Sequence, residues 1–161
     1  MNLKIGKPQI TDGKEIWKLI KRTGNLDLNS EYCYFMLADL YRDQCAIVTS
    51  PDHTGILGFA SCLPRQGEGD TLFVWQICTD PQIQKQGMAK KMLHFILENQ
   101  KEKIKYLQAT ISDDNQGSRA LFASIAKSYQ AEMHKTLYID AQDFYDSHQS
   151  EYLYNIGILN Y

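Results

Sequence analysis

The sequence holds no apolar run approaching the ~20 residues needed for a helix to cross a bilayer, and its opening MNLKIGKPQITDGKEIW lacks the apolar centre of a secretory leader. A cytoplasmic protein with no membrane partner is therefore expected. Only four cysteines occur, Cys33, Cys45, Cys62 and Cys78, widely spaced and never as C-x-x-C. Each has apolar or aromatic neighbours, so buried reduced thiols are expected and no metal site. The formal net charge is only -2, with no dense basic stripe, which gives no support to nucleic-acid binding. Low-complexity segments and internal repeats are missing too. At 161 residues the chain reads most simply as one domain, 1–161, with enough length to bury a core.

What is present is an alternation of strand and helix patterns. LKIGKP reads as a first strand. Asp12 can cap a helix to about Arg22 with Ile16, Trp17, Leu19 and Ile20 on its apolar face, and Ser30 can cap a second to about Tyr41. CAIVTS, GILGFASCLP and DTLFVWQICT read as three strands joined by short turns, an antiparallel meander. Residues 87–99 have the 3–4 spacing of an amphipathic helix. A strand IKYLQATI, a helix within SDDNQGSRALFASIAK, a strand near Ala131–Ile139, an irregular stretch 141–150 and a final strand EYLYNIGIL follow. The order β-α-α-β-β-β-α-β-α-β-β predicts an α/β (α+β) fold with a mixed, mostly antiparallel sheet. The helix 87–99 is a crossover, so the strands around it should pair in parallel and splay.

The segment QKQGMAKKM, residues 84–92, joins a strand to a helix through Gly87 and Ala89 with amide and basic side chains around them. Backbone N–H groups ahead of a helix, with the helix dipole behind them, suit an anion. A Walker A loop is excluded because G-x-x-x-x-G-K-[ST] is absent, and a dinucleotide fingerprint because the loop has a single glycine. On spacing alone, an anion site and a plain strand-to-helix turn both remain open.

The pattern Gln84-x-x-Gly87-x-Ala89 after ICTDP resembles the pyrophosphate loop of the GNAT superfamily of N-acetyltransferases. NQGSRALF resembles that superfamily's N-x-x-[SA]-x-x-[LF] helix. LDLNSEYCYFML, DTLFVWQICTDPQIQKQGMAKKML and HQSEYLYNI further resemble the family of L-2,4-diaminobutyrate acetyltransferases of ectoine biosynthesis. These resemblances imply a GNAT-like fold, acetyl-CoA as cosubstrate, a small diamino acid as acceptor, a homodimer and a role in salt protection. They imply coenzyme contacts from Ile77, Cys78, Thr79, Gln84, Lys85, Gln86, Gly87, Met88, Ala89, Lys90, Asn115, Ser118 and Phe122. Another polyamine, an aminoglycoside or a protein N-terminus as acceptor stays open, as does a non-catalytic acyl-CoA sensor.

Acetyl transfer to an alkylamine needs removal of a proton from an ammonium of pKa near 10. A backbone N–H near Ile77–Cys78, where the fourth strand is expected to be interrupted, can polarise the thioester carbonyl. Many superfamily members carry a glutamate on the fourth strand and a tyrosine on the last helix. Here TLFVWQICT has no carboxylate, and Phe122 stands at the second position. The candidates implied instead are Trp75, Asp27, Asn29 and Tyr34 for substrate binding, with His148 and Glu151 for substrate binding and proton removal. Structural readings compete: Trp75 and Tyr34 as core aromatics, Asp27 as a turn residue, and His148 and Glu151 as an idle pair on a solvated loop.

Overall fold

The computed structural model describes residues 1–161. Its strands and helices are β1 (Lys4–Gly6), α1 (Gly13–Thr23), α2 (Glu31–Leu40), β2 (Cys45–Ser50), β3 (His53–Pro64), β4 (Thr71–Thr79), α3 (Met88–Glu98), β5 (Tyr106–Ser112), α4 (Gln116–Ser128), β6 (Glu132–Ile139) and β7 (Glu151–Gly157). This is the expected order. The seven strands form one mixed sheet in the order β1-β2-β3-β4-β5-β7-β6. By compactness the chain divides into two units, residues 1–63 with 75–100 and residues 64–74 with 101–161. Strand β4 contributes to both.

In the first unit, β1, β2 and β3 pair antiparallel. Strand alternation sends Ile47 and Phe59 to one face, where they join Ile16, Leu19, Ile20, Tyr34 and Leu37 of α1 and α2 in a buried cluster. Helix α3 packs on β1 and β2. It buries Met92, Leu93, Ile96 and Leu97 almost completely, each contributing roughly 1.5–3 kcal/mol of apolar burial. Helix α1 ends where Gly24 turns left-handed, φ 64°, and its N–H bonds the Ile20 carbonyl at 3.2 Å. The expected side-chain caps are not made. Ser30 has the extended N-cap backbone but no capping bond. Asp12 ends a 3-10 turn (Ile10–Asp12) that runs straight into α1, and its carboxylate accepts the Gln9 N–H at 2.7 Å instead.

In the second unit, the first residues of β4 pair in parallel with β5, from Thr71 opposite Tyr106 to Val74 opposite Ala109. The chain then doubles back so that β7 lies between β5 and β6, antiparallel to both. The C-terminal tail thus completes the chain's own sheet. Helix α4 packs on β6 and β7 and buries Phe122, Ile125 and Ala126. Stretch 141–150 carries a 3-10 turn at Ala141–Asp143, capped by Asp140.

All four cysteines are free; Cys45, Cys62 and Cys78 are buried, whereas Cys33 is partly exposed. The expectation of burial is met only in part at Cys33, which packs against the edge of the core cluster of α1 and α2 and keeps some exposure. No helix is long and apolar enough to cross a membrane.

Candidate active site

The loop that leads from β4 into α3 is fastened at its start. Asp80 is buried; its N–H bonds the Leu57 carbonyl at 2.7 Å, and its carboxylate accepts from Gln82 N–H at 3.0 Å and Arg22 Nε at 2.8 Å. Burial works to raise the Asp80 carboxyl, but the Gln82 and Arg22 donors outweigh it and hold the group below the usual carboxylate range. A 3-10 turn, Pro81–Ile83, follows and buries Ile83. Gln84, Lys85 and Gln86 are then exposed. Lys85 and Gly87 both take left-handed backbone angles, φ 60° and 72°, a conformation that costs glycine nothing and lysine about 1 kcal/mol or more.

Gly87 is the N-cap of α3. The first N–H groups of a helix lack intrahelical acceptors, so those of Met88, Ala89 and Lys90 are the donors this end of α3 offers an anion. The Met88 side chain is buried in the core, which leaves its backbone N–H as the group for ligand contact. Ala89 and Lys90 are partly exposed.

Strand β4 is not interrupted: it runs as strand from Thr71 to Thr79. What ends is its ladder with β5, at Val74, five residues before the strand itself does. Trp75 is 40% exposed, so the core reading of this tryptophan is overturned. Ile77 and Thr79 are partly exposed and Cys78 is buried, its thiol pushed up to about 12 by burial. A thiol so held is neutral at physiological pH and is no nucleophile.

Tyr34 is fully buried, packed edge-on against Phe59 at 6.2 Å. Its ring is a core aromatic, yet its hydroxyl is used: it bonds the Gln76 Oε1 at 3.2 Å and accepts the Asn29 N–H at 3.3 Å. Gln76 Nε2 donates to the Asp27 carbonyl at 2.8 Å. The Asp27 carboxylate is exposed and Asn29 is partly buried. The structure therefore joins Asp27, Asn29 and Tyr34 in one hydrogen-bonded group through Gln76, a residue not singled out from the sequence. The signal was an amide interrupting the apolar run LFVWQIC. Asp80 was likewise passed over within a short link, although Asp-Pro opens turns.

In the second unit, Asn115 caps α4, its Oδ1 accepting the Ser118 N–H at 3.0 Å. Ser118 is partly exposed and Phe122 is buried. Arg119 donates to the Asp113 carbonyl. Glu151 opens β7 rather than lying on a loop. His148 stacks on Phe144, centroids 3.9 Å apart, and its Nδ1 lies 2.6 Å from the Gln149 carbonyl. A carbonyl only accepts, so Nδ1 carries the hydrogen and Nε2 is turned over to Glu151, 4.0 Å away. Burial raises the Glu151 carboxyl above its ordinary value; the His148 charge opposes this and Asp114 adds to it. An acid of raised pKa beside an imidazole suits proton uptake from an ammonium. No group of three or more His, Cys, Asp or Glu is placed to hold a metal ion.

The profile of the acetyltransferase (GNAT) family matches residues 14–126, and the chain belongs to that family. Among curated proteins, it is 32% identical to the L-2,4-diaminobutyric acid acetyltransferase of Marinococcus halophilus, over 94% of this chain and 87% of that protein. It is 33% identical to the enzyme of the same name from Halomonas elongata, over 95% and 80%. Among solved structures it is similar to the diaminobutyrate acetyltransferase of Paenibacillus lautus, in complex with its substrate L-2,4-diaminobutyric acid and coenzyme A. That likeness has 35% identity, a TM-score of 0.89 and coverage of 98% of this chain and 95% of that one. The ribosomal-protein-S18-alanine N-acetyltransferase of Escherichia coli, at 18% identity and TM-score 0.71 over 99% and 96%, shares the fold.

Proposed function

We propose that this chain transfers the acetyl group of acetyl-CoA to the 4-amino group of L-2,4-diaminobutyrate, giving 4-N-acetyl-L-2,4-diaminobutyrate, a step of ectoine biosynthesis that serves osmoprotection. The observation that carries this reading is the similarity, along nearly the whole of both chains, to the Paenibacillus lautus enzyme in complex with that diamino acid and coenzyme A.

In this reading the backbone N–H groups of loop 84–90 take the coenzyme's pyrophosphate, and Lys85 and Lys90 add charge. Asn115, Ser118 and Phe122 flank the coenzyme, and Ile77, Cys78 and Thr79 lie along its acetyl arm. The β4 backbone past Val74 has left its β5 ladder, which supports an N–H there as the donor to the thioester carbonyl. Trp75 offers a ring face to the amine or its stem. Asp27 and Asn29 bind the substrate's polar groups from a loop held by Tyr34.

Glu151, with His148 beside it, accepts the ammonium proton. The neutral amine then forms the new C–N bond, the C–S bond breaks, and the departing thiolate takes a proton, for which the nitrogen's second hydrogen is a source. Phe122 has no hydroxyl to supply one.

Residues 1–161 are read as a single N-acetyltransferase domain. The chain works in the cytoplasm, in keeping with its four unpaired thiols, and as a homodimer, in keeping with the exposed Leu137 and Tyr138 on edge strand β6. A thiol-release assay with acetyl-CoA tests the acceptor, comparing L-2,4-diaminobutyrate with ornithine, lysine and a short peptide. Preference for diaminobutyrate is expected. Faster turnover of another amine, or coenzyme binding with no turnover at all, overturns the reading.

A further inference from the structure

Gln76 interrupts the apolar run of β4 and is only 5% exposed. A buried amide left without partners costs stability, so its bonds are informative. The Asp27 carbonyl can only accept, which turns the Gln76 NH2 toward it and fixes the amide's orientation. The Oε1 therefore faces the Tyr34 hydroxyl, which donates to it and in turn accepts the Asn29 N–H. The Gln76 backbone is tied as well: its N–H donates to Ser61 Oγ at 3.3 Å, and that hydroxyl lies 3.4 Å from the Gln76 carbonyl. One side chain on a paired strand thus holds the loop between α1 and α2 at two backbone positions, Asp27 directly and Asn29 through Tyr34. Residues 24–30 have no regular structure of their own, so the accuracy of Asp27 and Asn29 depends on such bonds.

We propose that Gln76 is a positioning residue for the acceptor amine. It sets the Asp27–Asn29 loop against the strand that carries the exposed Trp75 as the preceding residue. The inference rests on the reading of Asp27, Asn29 and Trp75 as substrate-binding residues.

The test uses the full chain with Q76E, Y34F and the double variant, measuring KM for the amine and KM for acetyl-CoA separately. Q76E keeps the shape and an acceptor for Tyr34 but sets an oxygen against the Asp27 carbonyl. Y34F removes the relay to Asn29 with little change in packing. Amine KM is expected to rise about tenfold or more in Q76E, in line with an unmet buried partner, while acetyl-CoA KM stays within about twofold. The double variant is expected to raise amine KM further than Q76E alone, because Q76E cuts the bond to Asp27 and Y34F the separate bond to Asn29. The inference is overturned if amine KM is unmoved while the unfolding midpoint falls, which marks core support only. It is equally overturned if the two KM values rise together. Wild-type turnover is measured first: if diaminobutyrate is not acetylated but another amine is, the functional reading fails, and the same KM comparison on that amine still decides the role of Gln76.

Discussion

Replacing Arg22 by methionine isolates the clamp at the start of the loop between β4 and α3. Arg22 donates from Nε to Asp80 Oδ2 at 2.8 Å and from Nη2 to the Ile56 carbonyl at 2.6 Å. Methionine retains the apolar stem and removes both donors. A hydrogen bond to a charged group contributes roughly 1.5–3 kcal/mol, and an unmet buried carbonyl adds roughly 1. The Arg22 side chain is 38% exposed and that of Asp80 only 5%, so water replaces part of what is lost and the low end applies, about 2 kcal/mol. For a domain of this size that is a fall in Tm of about 4–8 °C.

The loss must also depend on pH. The Asp80 carboxyl is held below its ordinary value in the folded chain. Its contribution is therefore present above the unfolded pKa of about 4 and disappears as pH falls through the lower folded value. Thermal and urea unfolding of wild type and R22M at pH 7 and down to pH 3 measure this. The gap should be full at pH 7 and narrow below about pH 4. A gap under about 1 °C at pH 7, or one that does not change with pH, refutes the reasoning.

If Glu151 accepts the proton, the pH profile of kcat/KM should have an acid limb above the usual glutamate range, because burial and Asp114 raise its carboxyl. H148Q removes the opposing positive charge and should move that limb further up, while D114N should move it down; identical limbs in all three proteins contradict the assignment. E151Q should lose about a hundredfold or more in kcat, the usual scale for a general base. Gly58 is held by packing: a methyl there would lie 2.7 Å from the fully buried Val48 Cγ2 and 3.3 Å from Met92 Cε. G58A should destabilise by roughly 1–3 kcal/mol in urea unfolding, and V48A in the same chain should recover part of it; simple additivity counts against the close contact.

The element order was legible because each element carries its own period, from the apolar face of α3 to the meander CAIVTS, GILGFASCLP, DTLFVWQICT. So was the loop, since Gly87 marks a left-handed turn at a helix start. The placement of β7 between β5 and β6 was not, because strand order within a sheet is set by long-range pairing that no local pattern encodes. Trp75 and Glu151 show the same division. Their residue types pointed to chemistry, but whether the ring was core or exposed, and whether the carboxylate lay on a loop or a strand, followed from tertiary packing. Gln76 and Asp80 were missed for that reason: their partners Asp27, Tyr34 and Arg22 lie 42 to 58 residues away in sequence.

The most direct test of the central claim is the identity of the product. Wild-type protein is incubated with acetyl-CoA and L-2,4-diaminobutyrate, and the acetyl position is located by NMR of the purified product. The account predicts a single product bearing acetyl on the 4-amino nitrogen. Acetyl on the 2-amino nitrogen, a mixture of the two, or unreacted diaminobutyrate beside an intact acetyl-CoA pool contradicts it.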